Sequence, residues 1–172
     1  MTLLMSRLRY AALLLAGMTM STFALGQSLP ASDRVVFVCE HGSVKSVMAA
    51  TLFNRSAEKR GSALRAVSRG VIPDSHVPVR IVDALKADGI DVATFKPRPI
   101  SEKDTANARR VIGIGVDPAS LTPRGTATEA WTDVPDSSNY PAARDALQRH
   151  VDALLDELQG AQPKEGARSG SR

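Results

Sequence analysis

Among the 172 residues there is one cysteine, Cys39, and it stands where a nucleophile is useful. It closes the run Val35-Val36-Phe37-Val38 and is followed by Glu40-His41-Gly42-Ser43-Val44-Lys45-Ser46, a short turn-like stretch that ends in a lysine and a serine. Successive backbone N–H groups in such a turn converge on one concavity, and a helix starting behind it adds its positive end. The arrangement holds phosphate-like oxyanions and stabilises a thiolate. Cys39 is therefore a candidate thiolate nucleophile, with Lys45 as a cation in the same loop. The same residues admit two other readings. A lone free cysteine packs well as a small buried hydrophobe. Cys39 with His41 offers two metal ligands, but one Cys-x-His pair is only part of a coordination shell.

The elements that must position this turn are legible in the pattern around it. A continuous β-branched and aromatic run from Val35 to Val38 has the composition of a strand covered on both faces of a parallel sheet. Behind the turn, Val47, Met48, Leu52 and Phe53 form the apolar stripe of a helix that begins near Lys45 and ends near Lys59-Arg60-Gly61. Open α/β sheets keep their ligand sites at the carboxyl ends of such strands. Further along, residues 63–70 read as a second strand. Residues 77–90 read as a helix with Val79, Val82, Ala84 and Leu85 on one face, stopped by Gly89. The stretch 91–100 is extended and broken by prolines. A third core strand is expected over 110–116 and a short fourth over 127–132, followed by a long helix from Tyr140 to Leu158. Strands alternating with helices give an α/β domain with a parallel sheet over about 33–160. The small, polar segment 161–172 is expected to be disordered.

The chain opens with Arg7 and Arg9, an apolar run from Ala11 to Leu25, and small residues at Ala24 and Gly26, the pattern of a secretory signal peptide over 1–26 cleaved before Gln27. A periplasmic or secreted location is expected, with no membrane association after cleavage. Export makes the cysteine count informative, because oxidising compartments pair thiols and a single cysteine cannot form an internal disulfide. The formal charge of +4 falls by one for each of Arg7 and Arg9 when the leader is removed, which leaves no nucleic-acid footprint. The remaining length suits one domain with a full core, and a monomer is expected.

These residues resemble the low-molecular-weight protein tyrosine phosphatase family, including its thioredoxin-coupled arsenate reductase branch, over about Arg34 to Leu158. The resemblance is carried by VVFVC at the first strand, Ser46 with Met48-Ala49, Leu52-Phe53-Asn54, Ser68-x-Gly70, the Asp88-Gly89-Ile90 turn and the strand VIGIGVD. It implies a three-layer sandwich around a four-stranded parallel sheet, flavodoxin-like. It also implies cysteine-nucleophile hydrolysis of phosphate monoesters such as phosphotyrosine, with neither metal nor cofactor. In that family the anion loop reads Cys, five residues, Arg, Ser. Carried over, Cys39 is the nucleophile, residues Glu40, His41, Gly42, Ser43, Val44, Lys45 and Ser46 form the phosphate loop, and Ser46 supplies the hydroxyl that stabilises the thiolate. Asp133, in Trp131-Thr132-Asp133-Val134-Pro135, is the implied general acid, with Asp136 close by.

Several positions depart from the family pattern. Lys45 stands at the arginine position and offers a point charge in place of a planar two-pronged donor. Gly42 replaces the loop asparagine, and Glu40 puts a carboxylate directly after the nucleophile. Arg69 stands where the family has a small residue, beside the anion loop, and a guanidinium there would restore a bidentate contact if it does not simply face solvent. Two alternatives follow from these departures: an oxyanion-binding protein without turnover, and an arsenate reductase that depends on an external thiol, since the internal cysteine relay is missing.

Overall fold

The computed structural model describes residues 33–160, so the expected leader at 1–26 and the expected disordered segment at 161–172 lie outside the described residues. Four parallel strands, β1 (Arg34–Cys39), β2 (Arg65–Gly70), β3 (Arg110–Ile114) and β4 (Thr128–Trp131), form one sheet in the order β2-β1-β3-β4. β1 lies inside the sheet, with Val35 to Val38 wholly removed from solvent. A strand covered on both faces has no solvent side to mark with polar residues, and its sequence is accordingly apolar without alternation. Its register pairs Cys39 with Gly70 and Val38 with Gly113, which brings the thiol to the carboxyl edge of the sheet beside the exit of β2.

The helices are α1 (Lys45–Lys59), α2 (Val79–Ala87), α3 (Glu102–Thr105) and α4 (Tyr140–Gly160). Alternate residues of β1 face opposite layers. Val35, Phe37 and Cys39 join the larger core with Leu52 and Phe53 of α1, Ile81 and Leu85 of α2, and Leu147, Val151 and Leu155 of α4. Phe37 is its centre, 5.8 Å from the Phe53 ring and 5.4 Å from Trp131. Val36, Val38 and Val111 face the other way into a smaller cluster that includes Ile100, Ala108 and Leu121. The result is the three-layer α/β architecture with a four-stranded parallel sheet.

Two local details differ from the pattern read off the sequence. α2 starts at Val79, because Pro78 sits in an extended conformation with φ −55° and ψ 137° and the residue before a proline is steered away from the helix. Its buried face is Ile81 with Leu85, one turn apart, and Val79 is 70% exposed. The short helix α3 lies in the stretch after Ile100 that carries no helical periodicity. It is made by a capping box in which Ser101 and Asp104 satisfy each other's backbone N–H groups.

Candidate active site

Cys39 ends β1 and is 7% exposed, so its thiol lies at the floor of the loop that follows. The Gly42 N–H points at Sγ from 3.3 Å, and the Ser46 hydroxyl lies 3.1 Å from the same sulfur. Ser46 is held in turn, because Ser68 of β2 donates to its Oγ at 2.8 Å and Ser68 Oγ is also 3.2 Å from the Gly42 carbonyl. This buried chain of hydroxyls leaves the Ser46 proton free for the sulfur. Gly42 makes the loop possible. Its φ is +63°, and a Cβ there would lie 2.7 Å from the Gly70 nitrogen. Only glycine meets both conditions, the left-handed backbone and the close approach to β2.

The loop is braced from outside by the segment leaving β2. Val71, Ile72 and Asp74 donate backbone N–H groups to the carbonyls of Cys39, Glu40 and His41 at 3.1, 2.8 and 3.0 Å. Ser43, fully buried, donates its hydroxyl to Asp74. The His41 ring is exposed, with Nδ1 3.3 Å from the Ile72 carbonyl and carboxylates of Glu40 and Asp74 at 3.8 Å.

A cavity of about 360 Å³ opens over the thiol. From the loop it is lined by Cys39, Glu40, His41, Val44 and Lys45, and from across the sheet edge by Arg80, Ile114, Gly115, Asp136 and Ser137. Gly42, Ser43 and Ser46 lie behind these as the supports just described. Lys45 turns toward the far wall, where its Nζ donates to the Val134 carbonyl at 3.2 Å.

Two residues read as site candidates from the sequence are placed elsewhere. Arg69 does not line this cavity: its guanidinium donates to Asp104 at 2.6 Å and to the Ser68 carbonyl at 2.7 Å, so the side chain is committed to α3 and away from the anion loop. Alternation along β2 explains this, since Ser68 takes the site-facing side and its neighbour takes the other. The Asp104 carboxyl is raised by burial, but the hydrogen bonds from Arg69 and Ser101 outweigh this and hold it below the ordinary carboxylate value. Asp133 is also outside the cavity. Its exposed carboxylate meets His150 Nε2 at 2.9 Å, and the His150 ring stacks on Trp131 at 4.6 Å.

The carboxylate of this segment that lines the cavity is Asp136, three residues on. The Ser138 backbone N–H and hydroxyl hold its carboxyl below the usual carboxylate range, with smaller contributions from Lys45 and Arg80. Arg80 is the residue that sequence reading missed. It stands on the exposed side of α2 and donates to the Ser137 carbonyl at 2.8 Å. Its only signal in the sequence is a cation on a helix face opposite Ile81 and Leu85, which many surface helices share. Among the described residues no group of three or more His, Cys, Asp and Glu side chains is placed to hold a metal ion, and no helix is long and apolar enough to cross a membrane.

A thiol at the carboxyl end of a buried parallel strand, met by the Gly42 N–H and the Ser46 hydroxyl ahead of a helix, has the layout of an anion-binding loop around a cysteine nucleophile. The sequence model of low molecular weight phosphotyrosine protein phosphatases matches residues 34–128, and the chain belongs to that family. Cys39 holds its nucleophile position. No curated protein sequence matches the chain significantly. Solved structures share the fold. A low molecular weight protein tyrosine phosphatase from T. tengcongensis is 24% identical with a TM-score of 0.65, over 73% of this chain and 99% of its own. The YwlE arginine phosphatase from Geobacillus stearothermophilus is 24% identical with a TM-score of 0.60, over 79% of this chain and 99% of its own. A thioredoxin-dependent arsenate reductase from Corynebacterium glutamicum is 20% identical with a TM-score of 0.63, over 75% of this chain and 62% of its own.

Proposed function

We propose that this protein is an exported phosphatase that hydrolyses phosphate monoesters through Cys39. The observation that carries the reading is the sulfur itself, buried at the strand end and bonded to the Gly42 N–H and the Ser46 hydroxyl. The thiolate attacks phosphorus, the bond to the ester oxygen breaks, and a protonated Asp136 donates its proton to the departing oxygen. The carboxylate left behind takes a proton from a water molecule, which attacks the cysteinyl phosphate and releases inorganic phosphate and free thiolate. Lys45 leaves the Val134 carbonyl to balance the charge on the phosphoryl oxygens. Release of phosphate from an aryl phosphate by the mature protein, compared with Cys39→Ser, tests this; equal rates refute it. The exported location rests on the Arg7, Arg9 and Ala11–Leu25 pattern. Recovery of a chain beginning at Gln27 from the periplasm or medium supports it, and recovery of the intact chain from the cytosol opposes it.

Two features favour a second reading, an oxyanion-binding protein without turnover. Lys45 cannot clamp two equatorial oxygens as an arginine does, and Glu40 brings a carboxylate to the cavity wall. Phosphate binding by calorimetry with no trapped cysteinyl phosphate supports that reading. Arsenate reduction would need an external thiol to resolve a Cys39 adduct, because the sequence has no second cysteine for a relay. Arsenite production with thioredoxin as the sole reductant refutes that limit.

A further inference from the structure

The cavity over Cys39 carries an unusual combination. Lys45 and Arg80 both line the cavity, and each donates to a backbone carbonyl of the same segment, Val134 and Ser137. Neither makes an ion pair among the described residues, whereas Arg60, Arg69, Arg110 and Arg144 all do. Among the described residues no phenylalanine, tyrosine or tryptophan lines the cavity, so none of them stacks on an aryl ring there. Its apolar wall amounts to Val44 and Ile114. Lys45, adjoining the thiol loop, is taken up by the phosphoryl group. Arg80 comes from a different element, and its fork keeps N–H donors beyond those used on Ser137.

We propose that Arg80 determines specificity in this cavity by binding a second anionic group of the substrate, so that phosphate esters carrying a carboxylate or a further phosphate are preferred over neutral alkyl or aryl esters. The inference rests on the reading that the Cys39 loop holds a phosphoryl group. Asp136 and Glu40 also line the cavity, the latter with 68% of its side chain exposed, and Lys45 and Arg80 are the cations that offset their charge when a second anion enters. A guanidinium binds a carboxylate or phosphate through two parallel N–H bonds, which gives the contact direction as well as charge.

Binding to the Cys39→Ser protein tests the proposal without requiring turnover. Ethyl phosphate and phosphoglycolate have the same heavy-atom skeleton up to the terminal group, where the first has a methyl and the second a carboxylate. Calorimetry should show phosphoglycolate bound about tenfold more tightly than ethyl phosphate. Arg80→Gln, which keeps a donor for the Ser137 carbonyl, should reduce that ratio below about twofold, while Arg80→Lys retains part of it. Equal affinities for the two esters, or a preference that survives Arg80→Gln, overturn the proposal while phosphate binding keeps the phosphatase reading standing. Loss of inorganic phosphate binding in the parent Cys39→Ser protein removes both.

Discussion

Replacing Gly42 by alanine probes the site at the point where its geometry is tightest. Two penalties combine. An alanine held at φ +63° occupies the left-handed region, which costs an L-residue about 1–2 kcal/mol. The new methyl would also lie 2.7 and 2.9 Å from the nitrogen and Cα of Gly70 and 3.0 Å from the Arg69 carbonyl carbon. All three are backbone atoms of the β2 end, which pairs with β1 through Cys39, so they cannot rotate away. Overpacking of this kind adds about 1–3 kcal/mol, for a total of roughly 2–5 kcal/mol. In a domain of this size that lowers the thermal midpoint by about 6–20 °C. Gly61→Ala is the control, because Gly61 has nearly the same φ, +64°, with nothing within 4 Å of the added methyl. It should lose only the backbone part, a fall of about 3–8 °C. The loop displacement forced by Gly42→Ala also draws the Gly42 N–H off the sulfur and its carbonyl off Ser68, so phosphate affinity falls in this variant and not in Gly61→Ala. Thermal midpoints and phosphate titrations of the three proteins decide the matter. If Gly42→Ala is no more damaging than Gly61→Ala, the loop does not press against β2 as described and the account of the thiol's surroundings fails.

Three further outcomes are expected. Lys45→Arg, if the loop keeps the geometry of its family, adds a charge-assisted bond formed mainly in the transition state, so kcat for an aryl phosphate rises about tenfold with little change in phosphate affinity; no rise, together with a lowered thermal midpoint, speaks for a loop reshaped around lysine. Asp136→Asn should slow aryl-phosphate turnover and Asp133→Asn should not. Because the Asp136 carboxyl is held low, its donating form is depleted as pH rises, and wild-type kcat/KM should fall from mildly acidic to neutral pH while Asp136→Asn loses that slope. The Asp104 carboxyl is likewise held below its ordinary 3.8, so its contribution to stability is full above that value and is lost as pH falls through the lowered one. Denaturant titrations of wild type and Asp104→Asn should therefore differ at neutral pH and converge in strong acid; a constant gap means that the Arg69 pair contributes no pH-dependent stability.

What the sequence determined by itself was whatever local chemistry and periodicity encode. The apolar run before Cys39 required a doubly covered strand, the turn and the helix behind it required an anion-type loop, and the alternation of strands and helices required a parallel sheet. Those inferences use neighbours in the chain, and the sheet order and loop geometry agree with them. Tertiary structure alone decided which distant residues complete the site. Asp133 and Asp136 lie three residues apart in the same exposed stretch, and nothing local separates them. The path of that stretch across the sheet edge turns the first onto His150 and the second into the cavity. Arg69 looked well placed beside the loop, yet strand alternation and the capping carboxylate of α3, invisible to periodicity in a helix of four residues, draw it to the opposite side. Arg80 was an ordinary surface cation until the fold set α2 beside Ser137. Long-range placement of this kind depends on the packing of Ile81 and Leu85 beneath the helix, because burying that pair is what turns the opposite face, and its arginine, toward the thiol.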